Sequence, residues 1–263
     1  MYLQAFRKAF IGFEAAMRAR REAVQQQCAN HCRPCNNLPP MKLLLISSSN
    51  VFGYGYLDHA EPFIRDFLGP IRRVAFIPFA ATDHAGYVKT VSERMARMEV
   101  DVVEVTGIDD LDRADAIFVG GGNTFRLLKT LYDRHLLDPI RERVRGGMPY
   151  IGSSAGTNIT APTIKTTNDM PVVWPPSLDA LAFVSFQINP HYLDPDPTSK
   201  HQGETREERI RDFHEDNETM VVGLREGSLL RVDDAGVQLI GSAPARIFER
   251  GKDPYEISVG RVL

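Results

Sequence analysis

From Met41 onward, short apolar runs alternate with segments of helical period, and this alternation restricts the architecture more than any single motif. The strand-like runs are Leu43–Ser47, Arg73–Phe79, Val100–Val105, Ala116–Val119 and Tyr150–Gly152. Between them lie helical patterns near Leu57–Leu68, Tyr87–Met98, Phe125–Tyr132 and Leu137–Val144. Near-continuous apolar strands are buried on both faces, and parallel neighbours need a crossover connection, usually a helix. The pattern therefore predicts an α/β fold with a doubly wound, mostly parallel sheet. Val88, Val91, Met95 and Met98 read as the inner stripe of one of its helices. Gly53-x-Gly55 after the first strand is similar to a dinucleotide fingerprint, but Asp58 stands where the third glycine belongs, so it reads as a βα turn.

After Gly156 the chain becomes loop-rich through Pro162–Pro176, Asn189–His191 and Asp194–Pro197. A helix follows over Thr205–His214, where Thr205 and Glu208 have capping-box spacing. The tail runs Met220–Leu224, Ser228–Val232, Val237–Ile240 and Ala245–Glu249 predict antiparallel strands at a sheet edge. Residues 41–263 thus read as one catalytic domain without internal repeats.

Residues 1–40 are a separate block, with Phe6, Phe10, Phe13 and Met17 at helical spacing, then Gln25–Gln27 and Pro39-Pro40. They read as an N-terminal extension outside the core: a targeting segment, a partner helix or an over-long start. All three cysteines, Cys28, Cys32 and Cys35, fall there, so the catalytic part has neither a cysteine nucleophile nor a disulfide framework. Their spacing matches an iron–sulfur motif and His31 adds a zinc ligand type, but nothing around them resembles a metal-binding fold; neither metal nor cofactor is expected. The net charge of −3, with mixed signs, gives no basic surplus for nucleic acid or anionic membrane. No apolar run approaches the roughly 18 residues of a membrane span. A cytoplasmic protein acting on small polar substrates is expected, with a homodimer as one oligomeric state.

Pro149–Thr157 carries Gly152-Ser153-Ser154-Ala155-Gly156 between an apolar strand and a helix, the pattern of a nucleophile elbow with Ser154 as nucleophile. Gly120-Gly121-Gly122-Asn123-Thr124 is a second strand-to-helix turn. Its amides suit a bound phosphate or an oxyanion hole, but no G-K-[ST] follows, so a nucleotide loop is excluded. If both turns meet at the carboxyl edge of the sheet, the Gly122 and Ala155 N–H groups face one carbonyl oxygen. Among seven histidines, His191 stands out because it ends the apolar run Phe186–Pro190; His59, His84, His135 and His214 read as solvated residues on polar helix faces. Asp169 and Glu226 are both candidates to orient that histidine. The order Ser154, His191, Glu226 differs from the α/β-hydrolase order of serine, acid, histidine, which points to another doubly wound fold.

The blocks Val119–Phe125, Tyr150–Gly156, Pro162–Pro171, Gln187–His191, Gly203–Ile210 and Gly223–Gly227 together resemble, in order, the peptidase E (aspartyl dipeptidase) family of serine peptidases. The resemblance implies a class I glutamine-amidotransferase-like fold and hydrolysis of dipeptides that begin with aspartate. It implies Ser154 as nucleophile, His191 as base, Glu226 as third member with Asp169 as its rival, and Gly122 and Ala155 as oxyanion donors. Arg206 would hold the substrate's aspartate side chain, since a guanidinium grips a carboxylate through two parallel hydrogen bonds. Ser153 departs from the pattern, standing where relatives often carry an aromatic residue. The alternatives are a cyanophycinase-like serine hydrolase of an aspartate-containing polymer, or a non-catalytic binding protein on the same scaffold.

Overall fold

The computed structural model describes residues 40–263 apart from 197, 199, 201 and 202. The extension, with its cysteines and His31, and also His201, lie outside the described residues.

Five strands form the parallel part of the main sheet: β1 (Leu43–Ile46), β2 (Arg73–Ile77), β3 (Asp101–Glu104), β4 (Ala116–Val119) and β5 (Tyr150–Ser153). With β8 (Ser228–Asp233) and β9 (Gly236–Gly241) the order is β3-β2-β4-β5-β1-β8-β9. β8 runs antiparallel to β1, and β9 antiparallel to β8. This is the mixed α/β fold, with a large mostly parallel sheet, that the alternation predicts.

The apolar runs of β1, β2, β4 and β5 are continuous because both faces of these strands are covered, whereas the edge strand β3 is partly exposed. In β1, Leu43 and Leu45 join one core cluster with Leu127 and Leu131 of α3 (Thr124–Asp133) and Ile140 and Val144 of α4 (Leu137–Arg145). Leu44 and Ile46 point the other way, into a cluster with Ile64 and Leu68 of α1 (Glu61–Leu68) and Val91 and Met95 of α2 (His84–Ala96). Val91, Met95 and Met98 are buried, as an inner stripe requires.

One boundary and one sheet assignment differ from expectation. α1 starts at Glu61, not at Leu57, because residues 51–60 form consecutive turns: Leu57 has φ 57°, and the Gly55 N–H donates to the Asp58 carboxylate at 3.0 Å. The larger difference is in the tail. Only β8 and β9 extend the main sheet; β6 (Gln187–Pro190), β7 (Val221–Leu224), β10 (Ala245–Phe248) and β11 (Tyr255–Ile257) form a second sheet of order β11-β10-β7-β6. β6 and β7 are parallel within it. Between them runs α6 (Arg206–Asp216), which Thr205 starts with the predicted capping box: the Thr205 N–H donates to Glu208 Oε2 at 2.7 Å, and the Glu208 N–H to Thr205 Oγ1 at 3.2 Å.

Register places the site. Ile46 lies beside Ser153, and Val119 beside Gly152, so the carboxyl ends of β1, β4 and β5 finish together. Ligands of open α/β sheets bind beyond such ends, where loops leave adjacent strands.

Candidate active site

β5 passes Ser153 and turns at Ser154, which has φ 51° and ψ −106°. A non-glycine residue in that region costs about 1–3 kcal/mol and persists only where its surroundings over-determine it. Here the Ser154 N–H donates to Ile46 O at 3.0 Å, while the Ser154 carbonyl accepts from Thr157 N and Asn158 N at 3.0 and 2.9 Å. Thr157 Oγ1 lies 2.7 Å from Ile46 O and 2.9 Å from Gly152 O, bracing the turn from inside. The flanking glycines answer to close approach of backbone: a Cβ on Gly156 would stand 2.1 Å from Val119 O, and one on Gly152 2.5 Å from Gly156 O. The helix that follows, α5 (Ala155–Asn158), is a single turn.

His191 follows β6 directly and also has a left-handed backbone, φ 54°. Its N–H donates to Ser47 Oγ at 3.0 Å, and Ser47 Oγ donates to Leu224 O at 2.7 Å, so one hydroxyl beyond β1 joins the two sheets at the site. The imidazole Nε2 lies 2.9 Å from Ser154 Oγ, and Nδ1 lies 2.8 Å from Glu226 Oε1. An ionised carboxylate can only accept, so this arrangement puts the proton on Nδ1 and leaves Nε2 free to accept from the serine hydroxyl. Glu226 sits in the turn between β7 and β8. It departs from the buried acceptor that such a role suggests: its side chain is 49% exposed and that of His191 38%.

Asp169 is placed elsewhere. Its Oδ2 accepts from the Thr124 N–H at 2.8 Å, from Thr124 Oγ1 at 2.6 Å and from Thr167 Oγ1 at 3.2 Å, so it closes the first turn of α3. Asn123 caps the same helix and donates to Met170 O at 2.9 Å, anchoring the loop that carries Asp169. Asn168 donates to Pro190 O at 2.7 Å, and Asn189 to Thr166 O at 2.8 Å, which pins this loop to β6.

The Gly120–Gly122 turn lies against the elbow. A Cβ on Gly121 would stand 3.1 Å from Ser154 Cβ. The Gly121 N–H donates to Tyr87 Oη at 2.8 Å, whereas Gly122, at φ 132°, and Ala155 meet no backbone or side-chain acceptor among the described residues. Burial pushes the Tyr87 phenol up from its ordinary value, and that of Tyr56 beside it well up, so both hydroxyls stay protonated donors. Ser154, His191, Glu226, Asp169, Gly121 and Gly122 share one open cleft of about 550 Å³, whose further wall is Ser48–Asn50 with Tyr56 and Tyr87.

Arg206 opens α6 and is half-buried. Among the described residues its guanidinium makes no ion pair or hydrogen bond. Burial lowers its pKa, Arg209 adds to that, and the Asp169 charge opposes both. Arg206 is not in the wall of the cleft itself.

Two histidines differ from expectation. His214 is buried, with Nε2 3.0 Å from Thr219 O. His59 is half-buried beneath Tyr54, ring centroids 6.1 Å apart, and burial lowers its pKa. Both sit on helical or turn segments whose polar neighbours conceal the buried side. Ser47, Thr157, Asn158 and Asn168 are site-building residues that the sequence reading passes over. The polar run Ser47–Asn50 directly after a buried strand was the available signal.

Residues 43–240 match the sequence profile of peptidase family S51. The chain belongs to this family. As an S51 member it is a serine-type peptidase and acts on peptide substrates. It is 53% identical over 227 residues to "Peptidase E" of Streptomyces coelicolor, covering 85% of this chain and 93% of that protein. It is 48% identical over 223 residues to the Drosophila melanogaster protein named "Probable alpha-aspartyl dipeptidase", covering 82% of this chain and 93% of that protein. Among solved structures, a peptidase from an acI-B1 Actinobacterium shares the fold, with TM-score 0.62, 17% identity and coverage of 86% of this chain and 97% of that one.

Proposed function

We propose that this S51 peptidase is an alpha-aspartyl dipeptidase, with Ser154 as nucleophile, His191 as general base and Glu226 as the residue that orients it. The observation that carries this reading is the hydrogen-bonded line Ser154 Oγ, His191 Nε2, His191 Nδ1, Glu226 Oε1, with steps of 2.9 and 2.8 Å. Ser154 Oγ attacks the scissile carbonyl while Nε2 takes its proton. The tetrahedral oxygen sits between the Gly122 and Ala155 N–H groups, which meet no acceptor among the described residues. Nε2 then protonates the leaving amine, and water repeats the sequence on the acyl-enzyme. Glu226 stabilises the imidazolium that forms at each step.

For an N-terminal aspartate, Arg206 supplies the match to the side-chain carboxylate, and Asp169, whose Oδ1 accepts no hydrogen bond among the described residues, the match to the free ammonium. The names of the relatives from Streptomyces and Drosophila support the same substrate class. Free aspartate released from a dipeptide panel tests it: Asp-Leu should be cleaved far faster than Ala-Leu. Arg206→Met should cost about 2–5 kcal/mol of kcat/KM on Asp-Leu, the range for truncating one partner of a buried charge pair. Ala-Leu should change little. Equal losses on both would make Arg206 a structural residue.

We further propose that residues 41–263 form the whole catalytic domain, in the cytoplasm. β1 begins at Leu43, and the family match spans 43–240. Deleting residues 1–40 should leave kcat/KM within a few-fold; an insoluble product or a hundred-fold loss would show that the extension belongs to the core. A homodimer remains part of this reading, to be measured by light scattering.

A further inference from the structure

Arg225 stands beside Glu226, and the catalytic reading gives it no task. Its guanidinium nevertheless uses all five donors. Nε and one terminal nitrogen grip Asp194, both at 2.7 Å; both terminal nitrogens grip Glu256, at 2.8 and 2.9 Å; and the remaining hydrogen goes to Pro244 O at 2.8 Å. The group is 17% exposed and lies 5.5 Å over the Tyr192 ring. Hydrogen bonds to the two carboxylates raise its pKa further, so its charge is permanent.

Its three acceptors lie on three segments: Asp194 just beyond His191, Glu256 on β11, and Pro244 before β10. The rest of the turn that bears Glu226 is held on its far side, at Gly227 and Ser228: Ser228 N donates to Arg225 O at 3.1 Å, Ser242 N and Oγ donate to Gly227 O at 3.0 and 3.3 Å, Ser228 Oγ donates to Ala243 O at 2.6 Å, and Ser47 N donates to Ser228 O at 3.1 Å. The Glu226 carboxylate has no hydrogen-bond partner other than His191 among the described residues and is half-exposed. Its position is therefore set by its backbone, and the residue just before it, Arg225, is anchored through its own guanidinium. An isolated surface ion pair contributes little, but two bidentate grips from one planar group impose a geometry that lysine, a point charge with three donors, cannot reproduce.

We propose that Arg225 is a positioning residue for catalysis: it clamps the turn bearing Glu226 to the segment leaving His191 and so keeps Glu226 on His191 Nδ1. This rests on the assignment of Ser154, His191 and Glu226 above. Displacement of a catalytic group by about 1 Å costs up to 100-fold.

Arg225→Gln should lower kcat on Asp-Leu by about 10–100-fold while KM moves less than about threefold, because substrate contacts are untouched. Arg225→Lys should fall between. The rate at which a fluorophosphonate labels Ser154 should drop in parallel; this readout needs no peptide. If wild type labels rapidly but does not cleave Asp-Leu, the substrate assignment fails and the labelling rates still decide the role of Arg225. In a Glu226→Gln background, Arg225→Gln should cost no more than about a further threefold, since residues acting through one another are not additive. A merely structural arginine would give the full loss in either background, and that result overturns the proposal. So does a folded Arg225→Gln with kcat and labelling within twofold of wild type. If Arg225→Gln does not fold, Glu256→Gln weakens one of the two carboxylate grips on Arg225, together with the 3.1 Å contact of Glu256 to Arg246, at a half-exposed carboxylate. It should lower kcat and labelling about 3–10-fold, scaled from the same displacement argument, and no change there also overturns the proposal.

Discussion

Ser154→Ala is expected to lower kcat on Asp-Leu by about 10⁴–10⁶-fold, the loss seen when a triad nucleophile is removed and only binding and oxyanion contacts remain. The protein should fold normally. Alanine has the same Cβ at φ 51° as serine, so it adds no backbone strain, and the only side chain that loses a partner, His191, is open to water. The neighbouring serine supplies the control. Ser153 is fully buried and its hydroxyl has no hydrogen-bond partner among the described residues, so Ser153→Ala removes no contact that faces the cleft. It should keep kcat within a few-fold and lose no stability. Aspartate release and fluorophosphonate labelling, run side by side on both variants, check the pair of expectations. Residual activity of more than a hundredth in Ser154→Ala, or comparable losses in both variants, would remove Ser154 as the nucleophile.

The parts of this molecule that were legible in its sequence are those whose cause is local. β1, β2, β4 and β5 are buried on both faces, so each had to be a continuous apolar run, and the helices between them had to show one apolar stripe. The elbow was legible because Gly152 and Gly156 are forced by backbone contacts within a few residues or across one strand pair. The second sheet was not. Its strands are three or four residues long, and β10 finds partners on both sides that only the assembled chain brings together. Such short runs cannot announce which sheet they join. Arg225 was hidden for the same reason: its partners Asp194 and Glu256 are each 31 positions away. The choice between Glu226 and Asp169 was also out of reach, because both are polar residues in turns; the separation comes from Thr124, whose N–H and hydroxyl occupy one Asp169 oxygen.

That separation leads to a reciprocal prediction. Glu226 meets His191 Nδ1 at 2.8 Å, whereas Asp169 meets the start of α3 and shares the cleft with Ser154. If Glu226 fixes the tautomer of His191 and stabilises its imidazolium, Glu226→Gln should cut kcat by about 10²–10⁴-fold with KM nearly unchanged, because the interaction gains its strength only as charge develops. Exposure of the carboxylate to water places the expected value toward the lower end, since screening weakens a half-exposed pair. Asp169→Asn keeps one oxygen for Thr124 but loses the charge proposed above to meet a substrate ammonium. It should mainly raise KM for Asp-Leu and narrow the gap between Asp-Leu and its N-acetylated form. Measured together, kcat and KM of the two variants on both substrates give opposite patterns. The reverse result, Asp169→Asn losing kcat at constant KM while Glu226→Gln stays near wild type, would transfer the orienting role to Asp169 and require the loop over 162–171 to move onto His191 when substrate binds.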